Sequence, residues 1–140
     1  MTLEELVDEV RTQVTAHANL NTFVFDDISA INENAAQTYP MLLMRPNSDT
    51  IDLRTNTATR TIDFYIADLY YQDDVDSLEA QYSDMEGWGF SLINTLYNHE
   101  DISYSTDKEI TSEKGREQYN DSLIVVRLTF SLDVFNCWTS

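Results

Sequence analysis

Basic residues are scarce: eight Lys and Arg stand against twenty-five Asp and Glu, a formal charge of −17 at neutral pH. Binding along a DNA or RNA backbone draws affinity from cations that displace counterions, so this balance argues against it, and equally against anionic membranes. Cysteine is nearly absent. Cys137 alone cannot form an intrachain disulfide, and nothing points to an oxidising compartment. No stretch reaches the roughly 18 to 20 apolar residues of a membrane-spanning helix. The opening MTLEELVDEV carries acids where a secretory leader would carry Lys or Arg, so the expected setting is the cell interior.

What is present suffices for a core. Apolar residues make up 42% of the chain and aromatics, Tyr foremost, 11%, enough to offset the entropy of ordering the backbone. A length of 140 residues predicts one domain spanning 1–140. The acid excess has three readings: plain solubility, a partner with a basic surface, or a wall that DNA slides past without sticking.

Leu3, Leu6, Val7, Val10 and Val14 recur at three-and-four spacing and predict a helix over 2–18 with one buried stripe. Thr2 followed by Glu5 fits a capping box, and Glu4 and Glu5 suit the positive end of the helix dipole. Phe23, Val24 and Phe25 before Asp26 and Asp27 predict a short strand and turn. Residues 39–45, bracketed by Pro40 and Pro46, predict a second short strand, with a turn at Asn47, Ser48 and Asp49. Residues 50–72 read as a hairpin: Ile62, Phe64 and Ile66 alternate with Asp63, Tyr65 and Ala67, as in a sheet with one covered face. The bend lacks Asn-Gly, which leaves a longer loop over 47–59 as the alternative.

A second helix is predicted over 77–98, with Asp76 and Glu79 capping it and Leu78, Tyr82, Met85, Gly89, Leu92 and Leu96 on one seam. Gly89 either permits close approach to a strand or, with Gly87 on the other side of Trp88, marks a bend. Ile102, Tyr104 and Thr106 predict a short strand, followed by a charged loop over 107–115. Residues 122–138 carry the strongest alternation, with Ile124, Val126, Leu128, Phe130, Leu132 and Val134 opposite Arg127, Thr129, Ser131 and Asp133. So long a strand is expected to cross the sheet and reach beyond it. No tandem repeat or low-complexity tract is present.

Catalytic patterns are missing: no GxxxxGK, GxGxxG, GxSxG or HExxH occurs, and neither enzyme activity nor a cofactor is expected. His17 and His99 fall at predicted helix ends, where imidazolium and hydrogen bonds to terminal carbonyls are favoured over a metal or base role. Asp73, Asp74 and Asp76 lack the Gly and terminal Glu of a calcium loop and are read as dipole partners of the second helix. Glu113 and Lys114 alone do not make a nuclease motif.

Charge is unevenly distributed. No Lys or Arg lies between Gln72 and Asp107, whereas Arg45, Arg54 and Arg60 sit on or beside one predicted loop and Lys108, Lys114 and Arg116 on another. These six cations are either solvated singly, each worth about 0 to 1 kcal/mol, or the contacts of a head-to-tail ring in which they meet an acidic face of the next copy.

The order helix, strands with a long hairpin, helix, then C-terminal strands resembles the tail-terminator and tail-completion family of tailed bacteriophages, with its neck-ring and head–tail connector relatives. The resemblance spans nearly the whole chain and rests on TLEELVDEV, TRTIDFYIADLYY, DVDSLEAQYSDMEGWGFSLINTLYNH and DSLIVVRLTFSLDVFNCW. It implies an α+β fold, a mainly antiparallel sheet packed by two principal helices. It also implies a non-catalytic ring of six or twelve copies in the virion neck or tail end, made in the host cytoplasm, joining portal or connector and tail proteins. DNA would pass through the channel unbound, and an anionic lumen would repel it. Two other classes share some features. A secretion-chaperone-like dimer usually closes on a helix, whereas this chain ends on a strand, and a DNA-mimic inhibitor would use the acids against a basic cleft.

Overall fold

In the computed structural model, which describes residues 1–33, 38–70, 78–104, 109–115 and 123–138, the opening stripe forms helix α1 (Leu3–Ala16). The capping box is present: Thr2 Oγ1 accepts from the Glu5 N–H at 3.2 Å, and Glu5 Oε1 accepts from the Thr2 N–H at 3.3 Å. Leu6, Val7, Val10 and Val14 are the buried stripe. Strand β1 (Thr22–Phe25) and a one-turn helix α2 (Ala30–Glu33) follow. Strands β2 (Met41–Asp52) and β3 (Thr57–Leu69) make the long hairpin. Helix α3 (Leu78–Tyr97) precedes β4 (Ile102–Tyr104), β5 (Thr111–Gly115) and β6 (Leu123–Phe135).

The strands form one six-stranded sheet in the order β1-β2-β3-β6-β4, with β5 also paired to β6. The expectation of a mainly antiparallel sheet is corrected: the sheet is mixed, because β1 runs parallel to β2, with Thr22 beside Met41 and Phe25 beside Met44. The connection between these two strands carries α2 and returns the chain to the starting end of the sheet, which a tight hairpin cannot do. The architecture is α+β.

Side-chain alternation decides where the core lies. Leu42 and Met44 of β2, Ile62, Phe64 and Ile66 of β3, and the even-numbered residues 124–134 of β6 share the face that packs against α1 and α3. Phe64 and Phe130 meet edge-on there, with centroids 4.8 Å apart. The opposite face carries a smaller cluster of Met41, Leu43, Tyr65, Ala67, Leu123 and Val125, under Ile31 and Tyr39. The Tyr39 hydroxyl donates to the Ile31 carbonyl and fastens the α2 segment to this second layer.

Three local expectations are revised. The predicted turn at 47–49 is strand: β2 continues past Pro46 through a bulge between Pro46 and Ser48, so the alternative of a long loop over 47–59 shortens to a turn at 53–56. Asn56 takes the left-handed φ of 52° that this turn needs, the role that the missing glycine would have filled. The charged segment expected as loop contains β5, and Thr106 and residues 107–108 lie outside the described residues. Finally, β6 does not project past the sheet, since β3 matches it residue for residue from Leu69–Leu123 to Thr57–Phe135, and β5 and β4 line its other side in series.

Helix α3 runs without interruption through Gly87 and Gly89, so the bend is not formed. Gly89 is the close approach: a Cβ there would lie 2.3 Å from Leu128 Cδ1 and 2.8 Å from Ile66 Cδ1.

Candidate functional site

The six cations singled out from the sequence do not form one patch. Arg45 lies on β2 with Nε 3.6 Å from Asp26 Oδ1, and Arg54 lies in the β2–β3 turn with Nε 3.7 Å from Asp52 Oδ1. Arg60 is in the middle of β3, its side chain 6% exposed, with Nη1 2.8 Å from Asp49 Oδ2 on the neighbouring strand. A guanidinium so placed holds the hairpin together. Lys114 on β5 reaches Glu86 of α3 at 2.6 Å, and the same carboxylate accepts from Ser112 Oγ at 2.5 Å, which ties the β5 edge to the helix. These donors hold the Glu86 carboxyl below its usual pKa, the Lys114 bond contributing most. Lys108 and Arg116 lie outside the described residues.

Every described Lys and Arg has an acidic partner within the chain, because Arg11 pairs with Asp8 at 2.5 Å and Arg127 with Asp63 at 3.0 Å. The acid excess is therefore left uncovered. Where α1 starts and α3 ends, Glu5, Asp8, Glu9, Glu100 and Asp101, with His99 and Met1, line an open hollow of about 400 Å³, Asp8 alone of these acids being paired there with Arg11. The α-amino group of Met1 is taken up by the Phe135 and Asn136 carbonyls at 2.5 and 2.8 Å.

On the sheet face away from the helices, the half below Tyr65 is polar. Asp63, 3% exposed, accepts from Arg127 Nη2 at 3.0 Å, Thr129 Oγ1 at 2.6 Å and Asn47 Nδ2 at 3.3 Å, and Arg127 lies over the Tyr65 ring. Below them Thr61 bonds Ser131 at 2.9 Å and Thr59 bonds Asp133 at 2.7 Å. This ladder joins β3 to β6 side chain to side chain, and its hydrogen-bonding groups are largely satisfied within the chain.

Unsatisfied apolar surface collects at the other end of the hairpin. Past Met44 no residue of β2 is buried, since β1 stops there and β2 becomes an edge. Ile51 is 52% exposed and Leu53 68%, and the end of β6 adds Phe135 and Trp138 at 41% and 46%. Pairing brings them to one end: Ile51 is opposite Ala58, which is opposite Val134, and Thr57 is opposite Phe135. Asn56 fastens the C-terminal segment to the turn, its Oδ1 accepting from the Trp138 N–H at 3.1 Å and its carbonyl from the Cys137 N–H at 3.3 Å. This end of the sheet thus exposes apolar side chains, Ile51 on the helix side and Phe135 on the other, near Arg54, whose side chain is 92% exposed. Ile51 and Leu53 read from sequence as the start of one hairpin arm, whereas the structure ends β2 at Asp52 and places Leu53 in the turn itself.

Beside β1, on the same edge of the sheet, α1 leaves a groove of about 390 Å³ lined by Leu3, Glu4, Val7, Asp8, Arg11 and Phe25. The histidines differ from expectation. His17 Nδ1 accepts from the Asn19 N–H and His99 Nδ1 from the Asp101 N–H, both at 3.1 Å, so each caps the turn after its helix as an acceptor and not as a donor to the terminal carbonyls. Burial pushes the His17 pKa down, in keeping with the neutral ring. Asp73, Asp74 and Asp76 lie outside the described residues. Among the described residues no cluster of three His, Cys, Asp or Glu is placed to hold a metal, and no helix is long and apolar enough to cross a membrane. No protein-family model matches the chain, and no curated protein matches it in sequence.

Proposed function

We propose that this chain is a non-catalytic structural subunit that assembles into a ring at the head–tail junction of a tailed phage particle, joining portal or connector components to the tail around a DNA channel. The observation that carries this reading is the contrast between the two ends of its chemistry. The described cations are each paired with an acid of the same chain, while four large apolar side chains stand in solvent around the hairpin tip and the adjoining end of β6. Exposed apolar side chains beside an exposed cation suit association with another protein.

The order of helices and strands supports the same reading, since it resembles that of the tail-terminator and connector family. The uncovered acids suit a ring wall along which DNA moves, because a like-charged surface offers the phosphates no counterion to displace. Within the ring the candidate contacts are Arg45 and Arg54, with Lys108 and Arg116. Arg60 and Lys114 stabilise the subunit.

The test is compositional. Mass spectrometry of purified tailed particles made from a genome encoding this chain should recover it in multiple copies, and antibodies against it should decorate the head–tail vertex in electron micrographs. Particles complete without the chain would overturn the reading, as would substrate turnover by the purified polypeptide.

A further inference from the structure

We infer that the β2–β3 tip of one copy docks into the α1–β1 groove of the next, Leu53 entering between Leu3, Val7 and Phe25 while Arg54 meets Glu4. This rests on the ring reading above and names the contact that would close it.

Charge selects the occupant. Two copies of a chain at −17 repel each other, so self-association needs a cation at the point of contact. Among the described residues Arg54 is the most exposed basic side chain, 92% against 51% for Arg11 and 46% for Arg45, and its partner Asp52 is 3.7 Å away. It sits next to Leu53, the most exposed of the large apolar residues described.

The groove has the matching features. Leu3 and Val7 lie one helical turn apart on α1, and Phe25, 39% exposed, forms the facing wall. Its roughly 390 Å³ is more than twice the approximately 150 Å³ that holds a benzene ring, room for a leucine and part of its neighbour. Glu4 and Asp8 are the exposed acids on its rim. Asp8 is engaged by Arg11, and the Arg11 guanidinium is also held over the Phe23 ring at 5.2 Å, so the rim's own cation is occupied. Tip and groove are different surfaces, so the contact is heterologous, and repeated copies close into a ring when the rotation between them divides a full turn.

Sedimentation velocity on the full chain over a range of concentrations tests this, with circular dichroism as the check on folding. Leu53→Asp and Arg54→Glu should each weaken self-association by about tenfold or more. Both side chains are largely exposed, so both variants should keep the wild-type spectrum. Glu4→Arg should weaken association alone and restore it when combined with Arg54→Glu. Variants that associate like the wild type, or a double variant no better than its parents, would overturn the contact. A wild-type chain monomeric at every concentration would overturn it too. None of these outcomes touches the particle test, so a chain found in particles whose tip variants assemble normally would retain its structural role and lose this interface.

Discussion

Gly89 on α3 packs against Leu128 of β6 at a distance that leaves no room for a methyl group, the would-be Cβ falling 2.3 Å from Leu128 Cδ1. Leu128 and Ile66, the second neighbour, are both fully buried, so neither can turn aside without displacing the core between α3 and the sheet. Gly87, one residue removed, faces open space.

Two substitutions on one helix should therefore move in opposite directions. Gly89→Ala gains helix propensity but overpacks the core and should lower stability by about 1–2 kcal/mol net. Gly87→Ala has only the propensity gain and should raise it by up to about 1 kcal/mol. Urea denaturation of both variants decides this. A stabilised Gly89→Ala would mean that α3 can lift from the sheet at little cost.

The parts of the fold legible in the sequence are those in which burial is written as a period. Leu6, Val10 and Val14 face the core at helical spacing, and the even residues of β6 do so at a spacing of two, so α1, α3 and β6 were readable to within a few residues. β5 was not, because Thr111–Gly115 has no apolar alternation; its backbone ladder to β6 and the Lys114–Glu86 bond place it. Pairing with β3 likewise carries β2 past Pro46, where local sequence signals a stop. The direction of β1 was unreadable, since four residues give a strand but the course of the following chain sets its sense. The tip was hidden for a related reason: Ile51 and Leu53 read as the start of a hairpin arm, and only the early end of β1 and the turn at 53–56 show that they stay exposed.

The Asp63 network should behave as a unit. Asp63→Ala leaves Thr129 without its acceptor and Arg127 with only Glu113, 3.8 Å away, and because Arg127 is about a third exposed the loss should be nearer 2 kcal/mol than the 3–5 kcal/mol of a fully buried pair. Thr129→Val should cost about 1 kcal/mol. The double variant should fall short of the sum, measured by chemical denaturation, since both remove the same bonds. Full additivity would show that the two contacts act separately.

Asn56 carries two tasks that substitution can separate. Asn56→Gly keeps the positive φ but removes the side-chain bonds to Trp138, so the hairpin should survive while amide exchange around 135–138 speeds up at least about tenfold. Asn56→Val should also strain the turn and lower stability by at least about 1 kcal/mol. Hydrogen exchange read by mass spectrometry resolves the two effects. Unchanged protection at the C-terminal segment in the glycine variant would remove Asn56 as its anchor.

The Glu86 carboxylate links β5 to α3 only while it is charged. Its folded pKa lies below the usual 4.5, so its contribution is fully present above that value and is lost as the pH falls through the lower, folded value. Glu86→Gln should lower stability near neutral pH by about 1 kcal/mol or less, Lys114 being about a third exposed. The gap from the wild type should shrink as the solution is acidified below 4.5. Thermal melts across that range check it, and a gap independent of pH would mean that the amide's shape, not the lost charge, is responsible.

Asp68 should show the opposite sign. The residue is 4% exposed, and burial raises its pKa above 3.8, against smaller opposing effects from the Leu69 N–H and from Gln81. A raised folded pKa means that the native state binds the proton more readily than the unfolded chain, so this residue costs stability as the pH rises from 3.8 through the folded value, and the penalty is complete above it. Asp68→Asn removes the buried charge, and its side-chain oxygen can still accept from the Leu69 N–H, now 2.8 Å from Asp68 Oδ1. The variant should melt higher than the wild type at neutral pH and lose that advantage below pH 3.8, where both side chains are uncharged. A variant that melts lower at neutral pH would show that the charged carboxylate is used by the fold, and Asp68 would then join Glu86 as a group that holds α3 to the sheet.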